Sequence, residues 1–191
     1  LEEALGRLRG VAPGPGGWLR GYGWRSGDWQ PARDPTRHDL DAITGDMPAG
    51  LIAKDYHSLW LNSAALALAN GDLDVAGGVV ERDENGEPTG VLREESAWRF
   101  KEQHMLVSDD AYLEVMRTGV RLANSRGVTS VHDKDGWLGA LRLWRKLEER
   151  GQLSLRVWQS IPADLVDAAA AVGLRSGVGS PMLRLGYLKV F

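Results

Sequence analysis

The sequence predicts an α/β protein in two parts, a mixed α+β subdomain over residues 1–107 and a run of about three β-α units over 108–191. Three observations lead there. Strand-like runs starting near 128, 155 and 183 recur every 27 or 28 residues with amphipathic helical stretches between them, the period of β-α units in a parallel sheet. The chain before residue 107 instead interrupts short apolar runs with glycine, proline and tryptophan. Within it, Asn85-Gly86 sits between two extended runs, the strongest short-range signal for a hairpin.

The elements follow in order. LEEALGRLRG (1–10) reads as the tail of a helix. GWLRGYGW (17–24) has strand character after the breaker PGPGG, and WQPARDPTRHDLDAITGDMP (29–48) reads as a long ordered loop with short turns. AGLIAKDYH (49–57) is a strand, and LWLNSAALALAN (59–70) turns into a helix closed by Gly71. GGVVERDENGEPTGVLRE (77–94) holds the hairpin, and ESAWRFKEQH after it a short helix. SDDAYLEVMRTGVRLANSRG (108–127) is a well-marked helix: Ser108 caps it, Asp109 and Asp110 favour its positive end, and Gly127 stops it.

VTSVHD (128–133) is a strand, GWLGALRLWRKLEERG (136–151) an amphipathic helix, SLRVWQSI (154–161) a strand, ADLVDAAAAVGLRSG (163–177) a helix and LRLGYLKVF (183–191) the closing strand. Short right-handed crossovers give these strands a consecutive order. Such a run is a segment of a barrel or of an open doubly wound sheet, since a closed eight-fold barrel needs about 250 residues. Both ends read as interrupted elements, and a long apolar last strand with no charged guard makes a poor edge. The chain is therefore expected to be an internal portion of a larger fold; the alternative is a small complete α/β protein.

Composition excludes several classes. Hydrophobic content of 43% and charged content of 26% are those of an ordinary globular protein, with ample length for a core. A net charge of −3 with no basic stripe leaves no footprint for nucleic acid or an anionic membrane. The absence of cysteine removes disulfides, a thiol nucleophile and thiolate-bound zinc. No apolar run is long enough to span a bilayer and the start is unlike a secretory leader, so a cytoplasmic location is expected. Glycine-rich phosphate loops, G-x-S-x-G and H-E-x-x-H are not found.

Candidate site residues gather at strand ends. His57, Trp60 and Asn62 stand where a strand turns into a helix; they could line a substrate pocket, or Asn62 could cap the helix while Trp60 packs. His132 and Asp133 end a strand at the face where β-α barrels build their sites, or cap an ordinary loop. Counting by two, Lys189 shares a face with Leu183, Leu185, Tyr187 and Phe191. It is either a site lysine or one that snorkels to solvent.

KDYHSLWLNSAALALA, GGVVERDENGEPTGVLREESAW, RGVTSVHD, LRVW and LRLGYLKVF occur here in one order. That series resembles the type-3 branch of the metal-dependent amidohydrolases, which includes the N-substituted formamide deformylases. The resemblance implies a distorted (β/α)8 barrel beside a β-rich subdomain, with one or two divalent metals, zinc above all, at the strand ends. It implies ligands from a His-x-His pair on the first barrel strand, a lysine on the fourth, histidines on the fifth and sixth and an aspartate on the eighth. This sequence has no His-x-His; His38, His57, His104 and His132 are isolated, and only Lys189 matches a metal-site position. In related enzymes that lysine is carboxylated and bridges two cations, whose hydroxide attacks an amide-like carbonyl. Glu94 also fits the family pattern.

The expected function is thus a portion of a metal-dependent amidohydrolase acting on carbon–nitrogen bonds other than peptide bonds. Alone, the portion is expected to be inactive and metal-free. Its expected partners are a small amide-like substrate and either the rest of the barrel or another copy. The alternative is a non-catalytic small-molecule-binding module or a degenerate homologue.

Overall fold

The computed structural model describes residues 1–134 and 138–189, in two compact units, Leu1–Val107 and Ser108–Phe191. The expected helix start at Gly136 and Trp137, and the strand end at Val190 and Phe191, lie outside the described residues.

The first unit runs α1 (Glu2–Leu8), β1 (Leu19–Trp24), α2 (Arg37–Thr44), β2 (Ala49–Ala53), β3 (Ser58–Leu61), α3 (Ser63–Ala67), β4 (Gly78–Arg82), β5 (Pro88–Glu94) and α4 (Glu95–His104). Its five strands lie in the order β1-β2-β3-β5-β4; β1 and β2 are parallel and the other pairs antiparallel. Apolar side chains are buried on both faces, which is why β3 reads as an unbroken apolar run. Leu59, Leu61 and Leu92 pack with Phe100 and Ala97 of α4, whereas Trp60 and Val91 pack with Leu5 of α1 and Leu40 of α2. The hairpin closes as Asn85-Gly86 predicts, with Asp83 Oδ1 accepting from Asn85 N and Glu87 N, both at 2.9 Å.

The stretch expected as a loop over 29–48 contains α2 instead. Thr36 and Asp39 form a reciprocal capping box, and Arg33 holds the same carboxylate by two bonds at 2.5 and 2.9 Å. Burial pushes the Asp39 carboxyl up, but the bonds from Arg33 and Thr36 outweigh it, leaving it below the ordinary carboxylate value. The four-residue signature Thr36-Arg37-His38-Asp39 is the readable sign of that helix start.

The second unit runs α5 (Asp109–Ser125), β6 (Ser130–Asp133), α6 (Leu138–Glu149), β7 (Arg156–Pro162), α7 (Val166–Ala171) and β8 (Leu183–Lys189). The strands are parallel and consecutive, β6-β7-β8. Leu113 and Val120 of α5 and Leu143 and Leu147 of α6 bury Val131, Val157 and Leu183 on one face of the sheet. The last helix is shorter than the expected 163–177. Gly173 takes the left-handed conformation at φ 75°, and Gly173 N and Leu174 N bond back to Ala170 and Ala169, closing the helix early. No helix among the described residues is long and apolar enough to cross a membrane.

Candidate functional site

The C-terminal ends of β6, β7 and β8 lie together because the strands are parallel. Register pairs Val131 with Val157 and His132 with Trp158, so alternation sends Val131 and Val157 to the helix-covered face and His132 and Trp158 to the other. Asp133 alternates back toward the helices, where its Oδ2 accepts from Trp144 Nε1 at 3.2 Å. His132 and Asp133 therefore diverge: the two predicted site residues face opposite sides of the sheet.

β8 departs from simple alternation. Gln159 pairs with Leu185 but Ile161 pairs with Leu188, so Ser160 alone faces Gly186 and Tyr187, which is a β-bulge. The expectation that Leu183, Leu185, Tyr187 and Lys189 share a face is corrected by that extra residue. Leu183 and Leu185 follow Val157 and Gln159 toward the helices, while Tyr187 joins Trp158 and His132 on the open face, with Lys189 in phase with Tyr187 and opposite Pro162. A methyl group on Gly186 would press to 3.1 Å from the Gln159 carbonyl, so glycine suits the bulge.

A second cluster belongs to the first unit. Ser58 pairs with Arg93, which sets His57 beside Glu94 at the strand ends. Glu94 N donates to His57 O at 2.8 Å, and His57 Nδ1 lies 2.7 Å from Glu94 Oε2. The Trp98 ring meets the imidazole edge to face at 5.6 Å. The backbone is unusual on both sides: Tyr56 at φ 68° and Glu94 at φ 51° are non-glycine residues in left-handed conformations, a strain that clusters at functional sites. The pair remains half exposed, at 47% and 45% of side-chain area.

Trp60 and Asn62 are not brought to His57. Both are fully buried. Trp60 Nε1 donates to Thr36 O at 2.8 Å, and its ring packs against Trp24 and Trp29. Asn62 uses every polar valence inside the protein: Oδ1 accepts from Ala49 N and Ala65 N, and Nδ2 donates to Thr44 Oγ1 and Met47 O. Packing and capping, of the two readings open from sequence, describe them.

Sequence reasoning missed a polar hollow of about 320 Å³ lined by Trp24, Arg25, Lys54, Asp55, Ser58 and Arg93, among others. Arg93 anchors it, bonding Glu81 at 2.7 Å, Asp34 at 3.0 Å and Ser58 at 3.2 Å. The Glu81 bond and neighbouring carboxylates raise its guanidinium above the ordinary value. Three separate segments supply these residues, so no local motif announces them.

The Amidohydrolase family model matches residues 1–191, the whole chain. The chain belongs to the amidohydrolase family. This amidohydrolase chain is 28% identical over 182 residues to YtcJ of Bacillus subtilis (strain 168), covering 91% of itself and 34% of that protein. It is 28% identical over 208 residues to the N-substituted formamide deformylase of Arthrobacter pascens, covering 100% of itself and 37% of the deformylase. The crystal structure of an uncharacterized metal-dependent hydrolase from Pyrococcus horikoshii OT3 superposes with a TM-score of 0.69 at 27% identity, over 98% of this chain and 36% of the other. The chain thus spans about a third of the length of these relatives, and its mixed α/β fold is that of metal-dependent hydrolases.

The family implies a divalent metal. Among the described residues no group of three or more His, Cys, Asp or Glu side chains could hold one.

Proposed function

We propose that residues 1–191 are part of a metal-dependent amidohydrolase that hydrolyses amide-like carbon–nitrogen bonds other than peptide bonds. The family match over the whole chain carries this reading, supported by the 28% identity to an N-substituted formamide deformylase. In it, β6, β7 and β8 are consecutive staves of a distorted (β/α)8 barrel and the first unit is an inserted α+β subdomain. Lys189, carboxylated, would be one ligand of a divalent cation, zinc, which would supply Lewis-acid chemistry, with other donors from outside the described residues.

This chain's own residues then bind and position, each within its own unit. In the first, His57, held by Glu94, offers its outer ring nitrogen to a polar group of a ligand; in the second, His132 is a ligand contact on the open face of its sheet. Asp133 acts through Trp144, and Trp60 and Asn62 through the corner they support. On this reading residues 1–191 alone are inactive, the open face is covered by the rest of the barrel or by another copy, and the enzyme is cytoplasmic.

The test is formate and amine release by the complete, zinc-loaded enzyme from N-substituted formamides and a panel of small amides. Hydrolysis that disappears with a chelator and in Lys189→Ala is expected. A metal-replete enzyme that hydrolyses none of them overturns the reading in favour of a binding module.

A further inference from the structure

A carboxylate has lone pairs and no hydrogen to give. With Glu94 Oε2 at 2.7 Å from His57 Nδ1, the hydrogen of that bond belongs to Nδ1. A neutral imidazole carries one ring N–H, so Nε2 is left with a lone pair and accepts. Glu94 thereby decides what the far edge of the ring asks of a ligand.

The pair is fixed from several directions, all within the first unit. His57 N donates to Asp55 Oδ1 at 2.9 Å, and His57 O accepts from Glu94 N at 2.8 Å. Trp98, four residues beyond Glu94 on α4, donates from Nε1 to Tyr56 O at 3.3 Å and meets the imidazole edge to face. Arg93, the cation beside Glu94 in the chain, spends its guanidinium on Glu81, Asp34 and Ser58. The left-handed backbone at Tyr56 and Glu94 is strain maintained on both sides of the pair. A half-exposed contact returns little stability for that strain, which points to a role for the ring's orientation and tautomer.

An accepting Nε2 complements a donor. A carbonyl oxygen or a carboxylate would set lone pair against lone pair, and a tertiary amide has no N–H to give. We propose that Glu94 is a positioning residue that holds His57 as the Nδ1–H tautomer, so that Nε2 receives the N–H of a secondary amide. The substrate half of this inference rests on the hydrolase reading above and narrows it to amides that keep a hydrogen on nitrogen. The tautomer half rests on the geometry of His57 and Glu94 alone.

The test is heteronuclear NMR of the ring nitrogens in the complete, metal-loaded protein labelled at histidine. Spectra are taken at about pH 9, well above the ordinary imidazole value of about 6.5, and His57 is assigned by the signals lost in His57→Gln. A single form with the proton on Nδ1 is expected. In Glu94→Ala the form protonated on Nε2 should become the main one. γ-Butyrolactam, a secondary amide whose ring resists hydrolysis, should move the Nε2 signal saturably. N-methyl-γ-butyrolactam lacks the N–H and should bind about tenfold more weakly, the loss of one hydrogen bond. In Glu94→Ala that preference should fall to about threefold or less.

A proton on Nε2 in the parent, an unchanged Nδ1–H form in folded Glu94→Ala, or no saturable preference for the N–H lactam overturns the proposal. Should Glu94→Ala not fold, the parent's spectrum and the lactam pair decide it without the variant. Failure here is separable from failure of the hydrolase reading. The Nδ1–H form with lactam preference but no amide hydrolysis sinks only the enzyme. Amide hydrolysis with the proton on Nε2 sinks only the role given to Glu94.

Discussion

Nδ1 of His57 lies 2.7 Å from Oε2 of Glu94, and a backbone bond from Glu94 N to His57 O runs alongside it. A half-exposed polar side-chain contact of this kind contributes at most about 1 kcal/mol to folding. His57→Ala is therefore expected to change unfolding by less than about 1 kcal/mol. In the complete enzyme it should lower kcat/KM by about tenfold, the size of one lost substrate contact. Urea titration and amide-hydrolysis kinetics check the two halves, and an unaltered kcat/KM would reduce the pair to a surface bridge.

Asn62 makes the opposite prediction. Four hydrogen bonds converge on a fully buried side chain, two of them to backbone amides that open a strand and a helix. Asn62→Ala leaves those groups unpaired and should cost about 2–4 kcal/mol. Denaturant unfolding measures this; a loss below about 1 kcal/mol would mean that water replaces the carboxamide.

Gly90 tests the backbone. It sits at φ 113°, and a methyl group there would lie 2.6 Å from Leu61 O and 2.7 Å from Arg37 N, both main-chain atoms. Gly90→Ala combines a disfavoured conformation with a clash that no side-chain rotation relieves. A destabilisation of about 3 kcal/mol or more is expected. Thermal melting would show it as a large fall in Tm or as failure to accumulate.

Asp109 predicts a pH dependence. Hydrogen bonds from Arg142, and then from Lys146, hold its carboxyl well below the usual carboxylate range. A pKa depressed in the folded state gives stability that is present above the unfolded value, about 3.9, and lost as pH falls below it toward the folded value. Asp109→Asn should therefore be less stable than the parent at pH 7, and the gap should narrow as the pH is taken below about 4. Unfolding both proteins across that range decides it; a gap independent of pH would remove the ion pairs as its cause.

The regular part of the fold was legible in sequence because its signals are local. Ser108 before two aspartates marks a helix start, Asn85-Gly86 marks a turn, and the 27–28 residue period carries the parallel order of β6, β7 and β8. α2 was hidden by the prolines and charges around it, although Thr36 and Asp39 spelled its cap. The candidate site was less legible, because side-chain direction depends on register. His132 with Asp133, and Leu185 with Tyr187, look like companions in one dimension but part across the sheet. The proximity of His57 to Glu94 depends on β3 pairing with β5, a long-range contact that no short motif encodes.

The single unmatched glycine in β8 amounts to a change of phase. Residues before and after it obey the same in-and-out rhythm, but counted from different origins. A shorter version lacking that glycine would keep its tyrosine and lysine aimed as they are. A version that kept it but pulled the strand flat would turn both inside out. One inserted residue thus decides which way the end of the strand faces.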